Sequence, residues 1–195
     1  MKTTIYLIRH GLTAANKNDV FAGRTQEPLH PEGAAQLAEV GKRLAGHGIS
    51  KIFCGPLART RQSAGIVGEL LGASVAAEEA LTEINIPHWD GLTKEMIRAR
   101  FGSEYPTWLA DPVGFRVPAC ETIAEVQGRA VACLEALFRE YPGQNLLVVS
   151  HLIVVRAVLL HYLARPIADF REIKVGNAQV ARLIRDDFGE VAVEL

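Results

Sequence analysis

Thr3-Thr4-Ile5-Tyr6-Leu7-Ile8-Arg9-His10-Gly11 is the stretch of this 195-residue chain on which the reading of the fold turns. From Thr3 to Ile8 the residues are mostly β-branched, aromatic or aliphatic and show no polar face, the pattern of a strand buried on both sides of a parallel sheet. Gly11 stops the run, so Arg9 and His10 are delivered to the strand's C-terminal edge. The design returns near the end of the chain. Asn145 to Val149 is a second apolar strand, and Ser150-His151 follows it and opens a helix to about Leu163.

Working outward, strands and helices alternate. Pro31 to about His47 carries Ala34, Leu37, Val40, Gly41 and Leu44 at helical spacing, with Pro31 suited to the first turn and Gly48 to the C-cap. Lys51 to Cys54 is a short strand. Gly55-Pro56 then starts a helix through about Leu71, which places Leu57, Thr60, Ala64, Val67 and Leu71 on one side and Arg59 in the first turn. Glu79 to Thr93 has no sustained period and holds Pro87, Trp89 and Gly91. It reads as an irregular loop over the C-terminal strand ends, and Glu83 lies on it. Thr93 to about Asp111 reads as two short helices around Gly102-Ser103, and Pro112 to Cys120 as a loop suited to a lid. Thr122-Ile123-Ala124-Glu125 matches a capping box for a long amphipathic helix to Tyr141, ended by Pro142-Gly143. Gln179 to Arg185 and Glu190 to Leu195 read as strands turning at Asp187-Phe188-Gly189.

This alternation predicts the α/β class: a single doubly wound, mostly parallel sheet with helices on both faces. One domain spans residues 1–195, with a small helical insertion or lid at about 93–120. Sheets of this type bind ligands beyond the strand C-termini, which is where His10 and His151 fall.

Composition narrows the function. The 21 basic and 22 acidic side chains nearly cancel, leaving no global field for nucleic acid or an anionic membrane, so any anion site is local. Cys54, Cys120 and Cys133 are odd in number and lack metal-ligand spacing, which fits a reducing compartment. The apolar stretch Ile5 to Ile8 is too short for a signal peptide and no run approaches the ~20 residues of a membrane span, so a cytoplasmic location is expected. Monomer and homodimer both remain open, since the C-terminal strand pair offers an edge.

Phosphoryl transfer needs cations and fixed donors around three equatorial oxygens, an in-line nucleophile, and an acid for the leaving oxygen. Arg9, Arg59 and His151 all fall at strand ends or helix starts on one edge of the sheet, where helix N-termini add unpaired N–H groups. Arg59 in a helix's first turn runs against the macrodipole, and an anion there gives it a reason to be present. His10 is a candidate nucleophile and Glu83 a candidate acid. Read singly, each of these residues has an ordinary structural explanation; together they form an anion pocket without metal.

The residues also resemble a family. Arg9-His10-Gly11-Leu12-Thr13-Ala14-Ala15-Asn16 is similar to the opening signature of the histidine phosphatases, the superfamily that includes cofactor-dependent phosphoglycerate mutase. Phe21-Ala22-Gly23 with Pro28-Leu29 and Gly33, then Gly55-Pro56-Leu57-Ala58-Arg59-Thr60-Arg61-Gln62-Ser63-Ala64, resemble its next two blocks. Leu81-Thr82-Glu83 with Trp89-Asp90-Gly91-Leu92-Thr93 resembles the acid loop, and Val148-Val149-Ser150-His151 with Arg156 the last block. The resemblance implies that His10 is phosphorylated, that Arg9, Arg59 and His151 grip the phosphoryl oxygens, and that Glu83 is the proton donor. Asn16, Thr13, Gly23 and Leu152 would line the substrate site. No cofactor and no metal are implied, and the partner is a small phosphorylated metabolite.

Two departures stand out. Leu152 occupies the place after His151 where the family usually has glycine; it would be strained at positive φ, and it narrows the pocket mouth. Cys120 stands in Ala119-Cys120-Glu121-Thr122, where the family often has Gly-Glu-Ser, and beside the site it would be oxidisable. His88, on the acid loop, and Trp108 are further candidates to line the pocket. The expected reaction is hydrolysis of a phosphate monoester through a phosphohistidine on His10, with Glu83 as acid and then base. The alternative is mutase-type transfer between hydroxyls. A metal hydrolase built from His10, Glu83, His88 and His151 lacks ligand spacing and would set two arginines against the ion. A non-catalytic phospholigand module would have no need of both His10 and Glu83.

Overall fold

A computed structural model describes residues 2–195. Its main sheet has the order β4-β3-β6-β1-β7-β8. The four strands β4 (Ser74–Ala77), β3 (Ile49–Cys54), β6 (Asn145–Ser150) and β1 (Thr3–Arg9) run parallel, and β7 (Val180–Arg185) and β8 (Val191–Glu194) are antiparallel additions at one edge. β1 and β6 lie side by side at the centre, with Ile8 opposite Val149 and Arg9 opposite Ser150. The two strand ends that read alike in sequence are therefore neighbours in space.

Alternation along the strands divides the core into two layers. Ile5 and Leu7 of β1 face α6 (Ile123–Glu140) and α7 (Leu152–Tyr162), whereas Tyr6 and Ile8 face α2 (Pro31–Leu44) and α3 (Ala58–Leu71). The central strands are buried on both sides, which explains their continuous apolar runs. Each fully buried aliphatic side chain in these layers contributes about 1.5–3 kcal/mol. The expected doubly wound, mostly parallel architecture is what the chain forms.

Local sequence explains most element boundaries. Thr122 caps α6 through a reciprocal bond pair with Glu125, as its spacing predicts. Two short helices, α4 (Lys94–Phe101) and α5 (Glu104–Ala110), flank Gly102-Ser103. Three features differ from the sequence reading. α2 stops at Leu44 instead of about His47, because Ala45 leaves the helical region and the chain turns at Gly46, φ +82°, before it reaches Gly48. β4 has four exposed residues and no apolar signal; it exists through backbone pairing with β3 along its length. A two-stranded ladder of β2 (Val20–Phe21) and β5 (Leu92–Thr93) ties the segment after α1 (Ala14–Lys17) to the acid loop. Among the described residues no helix is long and apolar enough to cross a membrane.

Candidate active site

The C-terminal ends of β1 and β6 open into a cavity of about 330 Å³ lined by Arg9, His10, Asn16, Arg59 and Glu83 at its inner end. The chain reaches it past Gly11, where a Cβ would lie 2.4 Å from Leu37 and 2.6 Å from the Gly33 carbonyl oxygen, so only glycine passes this close to the start of α2.

His10 is 4% exposed, and its Nδ1 lies 2.7 Å from the Gly11 carbonyl oxygen. A carbonyl only accepts, so Nδ1 carries the proton and the Nε2 lone pair is free. Burial, then the charges of Arg59 and Arg9, hold the ring well below its ordinary pKa of 6.5 and keep it neutral. The His10 backbone is fixed from the entry of β7: Asn177 Nδ2 donates to the His10 carbonyl at 3.1 Å and the Ala178 N–H to that of Arg9 at 3.0 Å.

Arg59 is 1% exposed and donates from Nη2 to the Gly23 carbonyl at 2.6 Å and from Nη1 to that of Thr25 at 2.9 Å. Gly23 is required there, with φ +48° and a Cβ position only 1.7 Å from Asp90 Oδ1. Arg9 donates to the Val175 carbonyl at 3.2 Å; burial lowers its pKa to about 10, still cationic at neutral pH. His151, wholly buried at the N-cap position of α7, stacks edge-on against His10 with ring centroids 5.3 Å apart, and neither of its ring nitrogens has a protein partner. Burial and the charge of Arg59 hold His151 neutral, so it has a single N–H, and an oxyanion beside the two cations would accept that N–H.

Asn16 and Thr13 divide their expected roles. Asn16 Oδ1 accepts from the Thr13 N–H and from Asn177 Nδ2, which turns the amide nitrogen, a donor, toward the cavity that Asn16 lines. Thr13, expected to touch substrate, is instead wholly buried and spends its hydroxyl capping α1 at the Asn16 N–H; it does not line the cavity. Leu152 does line it, and as the first residue of α7 it avoids the positive φ that would strain it.

Glu83 is buried opposite the arginines and accepts from the Ile84 N–H at 2.9 Å. Burial raises its pKa, against the opposing pull of that N–H, Arg59, the Ile153 N–H and Arg9. A clamp that the sequence reading did not find holds its backbone. The Glu83 carbonyl accepts from Arg24 Nε at 2.9 Å and Arg129 Nη2 at 3.3 Å, and Arg129 also donates to the carbonyls of Ala80 and Thr82. Glu121 joins the two cations, accepting from Arg24 at 2.8 Å, Arg129 at 2.8 Å and the Asn85 N–H at 2.9 Å. Burial alone would raise the Glu121 pKa; Arg129, Asn85 and Arg24 outweigh it and hold the carboxyl below its usual value. The signal for Arg24 was its place beside Gly23. Arg129 sits in the amphipathic helix looking like any solvated charge.

Three weaker candidates are redirected. His88 does not line the cavity: its Nε2 lies 2.6 Å from Glu104, which also accepts from the Trp89 indole. Cys120 lies 3.7 Å from His88, outside the cavity lining, and burial raises its thiol pKa, which disfavours the thiolate that oxidation needs. Trp108 is buried against Trp89, Phe115 and Phe170 and packs the helical insertion. Among the described residues no three His, Cys, Asp or Glu side chains gather where they would hold a metal ion.

The model of the histidine phosphatase superfamily (branch 1) matches residues 5–195. The chain belongs to this superfamily. Its relatives include a protein of Klebsiella pneumoniae named "Probable phosphoglycerate mutase GpmB", 30% identical over 92% of this chain and 83% of its own length. YhfR of Bacillus stearothermophilus superimposes with a TM-score of 0.94 at 24% identity, covering 99% of this chain and 96% of its own. A mycobacterial glucosyl-3-phosphoglycerate phosphatase, solved with VO3, gives a TM-score of 0.83 at 25% identity over 98% of this chain and 96% of its own. Phosphatases and a mutase-named protein thus both stand among the kin of this histidine phosphatase superfamily member.

Proposed function

We propose that this enzyme hydrolyses small phosphate monoesters through a phosphohistidine on His10. The observation that carries the reading is the buried, neutral His10, with Nδ1 held by the Gly11 carbonyl and Arg9, Arg59 and Glu83 around the same cavity. The phosphoryl group enters between Arg9, Arg59, His151 and the Asn16 amide. His10 Nε2 attacks phosphorus as the ester P–O bond breaks, and protonated Glu83 gives its proton to the leaving alcohol oxygen. Ionised Glu83 then takes a proton from water, whose oxygen displaces His10 and forms inorganic phosphate. A dianionic phosphate beside Glu83 lifts its raised pKa further and keeps it protonated for the first step.

A lean toward water over a second alcohol rests on the cavity's modest volume and on the short, helical stretch after Glu83. The mutase reading keeps one observation in its favour, the 30% identity to a mutase-named relative. Incubation with 3-phosphoglycerate and with glycerol phosphate, scoring free phosphate against isomerised ester, separates the two; isomerisation without phosphate release refutes hydrolysis. His10→Ala is expected to be inactive, with the acid-labile protein-bound phosphate of the wild type absent. The three free cysteines fit work in a reducing compartment such as the cytoplasm.

A further inference from the structure

The cavity has two ends of different character. Its inner end is the buried cationic cage already described. The rest of its lining is largely apolar: Leu12, Val20, Phe21, Ala22 and Leu152 are half-buried there, whereas Ile153 lies beside Glu83, to which its N–H donates. Among the described residues lining it, one cation lies beyond Arg9 and Arg59, namely Lys94, and one acid beyond Glu83, namely Asp19. Their side chains are 39% and 68% exposed, which places them at the mouth.

These two residues form an ion pair with each other. The β2–β5 ladder imposes the pairing: Val20 stands opposite Thr93, which puts Asp19 opposite Lys94, and the Lys94 N–H donates to the Asp19 carbonyl at 3.2 Å. Asp19 adopts φ +54°, a left-handed conformation that aspartate tolerates better than most residues. Lys94 is the first residue of α4, where a cation opposes the helix dipole, and the Asp19 carboxylate offsets that cost. The cation that would meet an anionic group on the leaving alcohol is therefore already neutralised, by an acid that would itself repel that group.

We propose that Asp19 is a specificity-determining residue. By masking Lys94 at the mouth it selects monoesters of uncharged, partly apolar alcohols and turns away esters whose alcohol carries a second anion. This rests on the phosphatase reading and narrows it. The half-buried apolar side chains of the lining supply binding to such alcohols, while the masked lysine supplies discrimination.

Glycerol 3-phosphate and 3-phosphoglycerate test the idea, since they differ by a hydroxymethyl group against a carboxylate. The quantity read is the ratio of kcat/KM for 3-phosphoglycerate to that for glycerol 3-phosphate, from phosphate release. Asp19→Asn is expected to raise this ratio roughly tenfold, the size of one charge a few ångströms away at an exposed site, and Lys94→Met to lower it by a similar factor. Both shifts should shrink at high salt. A ratio unchanged or lowered in Asp19→Asn overturns the proposal, as does a ratio raised in Lys94→Met, and the lysine variant decides the matter should the aspartate variant not fold. A wild type that releases no phosphate from either ester, nor from 4-nitrophenyl phosphate, would instead sink the phosphatase reading, whatever Asp19 does.

Discussion

Replacing Glu83 by glutamine keeps the side chain's volume and the Oε1 acceptor that takes the Ile84 N–H at 2.9 Å, and removes the transferable proton. Two effects follow, with opposite signs. On alkyl phosphates, whose leaving oxygen needs a full proton, kcat/KM should fall by about 100- to 10,000-fold, the usual range for a positioned general acid. On 4-nitrophenyl phosphate, whose phenolate leaves unaided, the loss should stay below about tenfold. Stability should move the other way. Burial raises the Glu83 pKa above its ordinary 4.5, so the native state binds this proton more tightly than the unfolded chain. Stability is then present below 4.5 and lost as pH rises through the native-state value, by about 1.4 kcal/mol for every pH unit that separates the native and unfolded pKa. Glutamine has no such loss. The variant should match the wild type near pH 4 and melt higher at about pH 7.5, by roughly 2–4 °C per kcal/mol for a chain of this length. Steady-state rates on the paired esters and thermal melts at both pH values check this. Equal rate loss on both esters, or a melting point at pH 7.5 no higher than that of the wild type, refutes the reasoning.

Two further outcomes follow from the charged groups around the site. His10 and His151 are both held well below their ordinary 6.5 in the folded state, by burial and then by Arg59. The unfolded chain therefore takes up protons that the native state refuses as pH falls from 6.5, and stability declines with a limiting slope of about 2.7 kcal/mol per pH unit for the pair. Melts measured in Glu83→Gln, where the opposing titration is gone, should show this decline, and a flat profile contradicts it. Arg129→Met leaves Glu121 with one cation and strips a donor from three carbonyls of the acid loop, at a cost of about 1–3 kcal/mol. Its melting point should fall by roughly 3–8 °C. If Arg129 positions the acid, activity on alkyl esters should fall more than on aryl esters; a melting-point loss with an unchanged alkyl-to-aryl ratio would mean a structural role alone.

Much of this is legible in the chain itself. The runs Thr3–Ile8 and Asn145–Val149, the capping box at Thr122 and the helical stripes are local patterns, and a doubly wound sheet follows from their alternation. Because parallel strands bring like ends together, the same logic delivers His10 and His151 to one edge, with Arg59 arriving from the helix after β3. Leu152 shows the limit of that logic: its side chain is evident in the sequence, but its freedom from strain depends on where α7 begins.

What folding alone decided is long-range and polar. Arg24 and Arg129 lie more than a hundred residues apart and carry no pattern that pairs them, yet with Glu121, whose acidic place the family resemblance did show, they close around the Glu83 backbone. Thr13 turned from ligand to cap, and Asp19 met Lys94, because side chains of either kind carry no periodic signal of where they end. The raised pKa of Glu83 belongs to the same class. Desolvation is set by everything packed around a group, and no sequence window contains that surrounding.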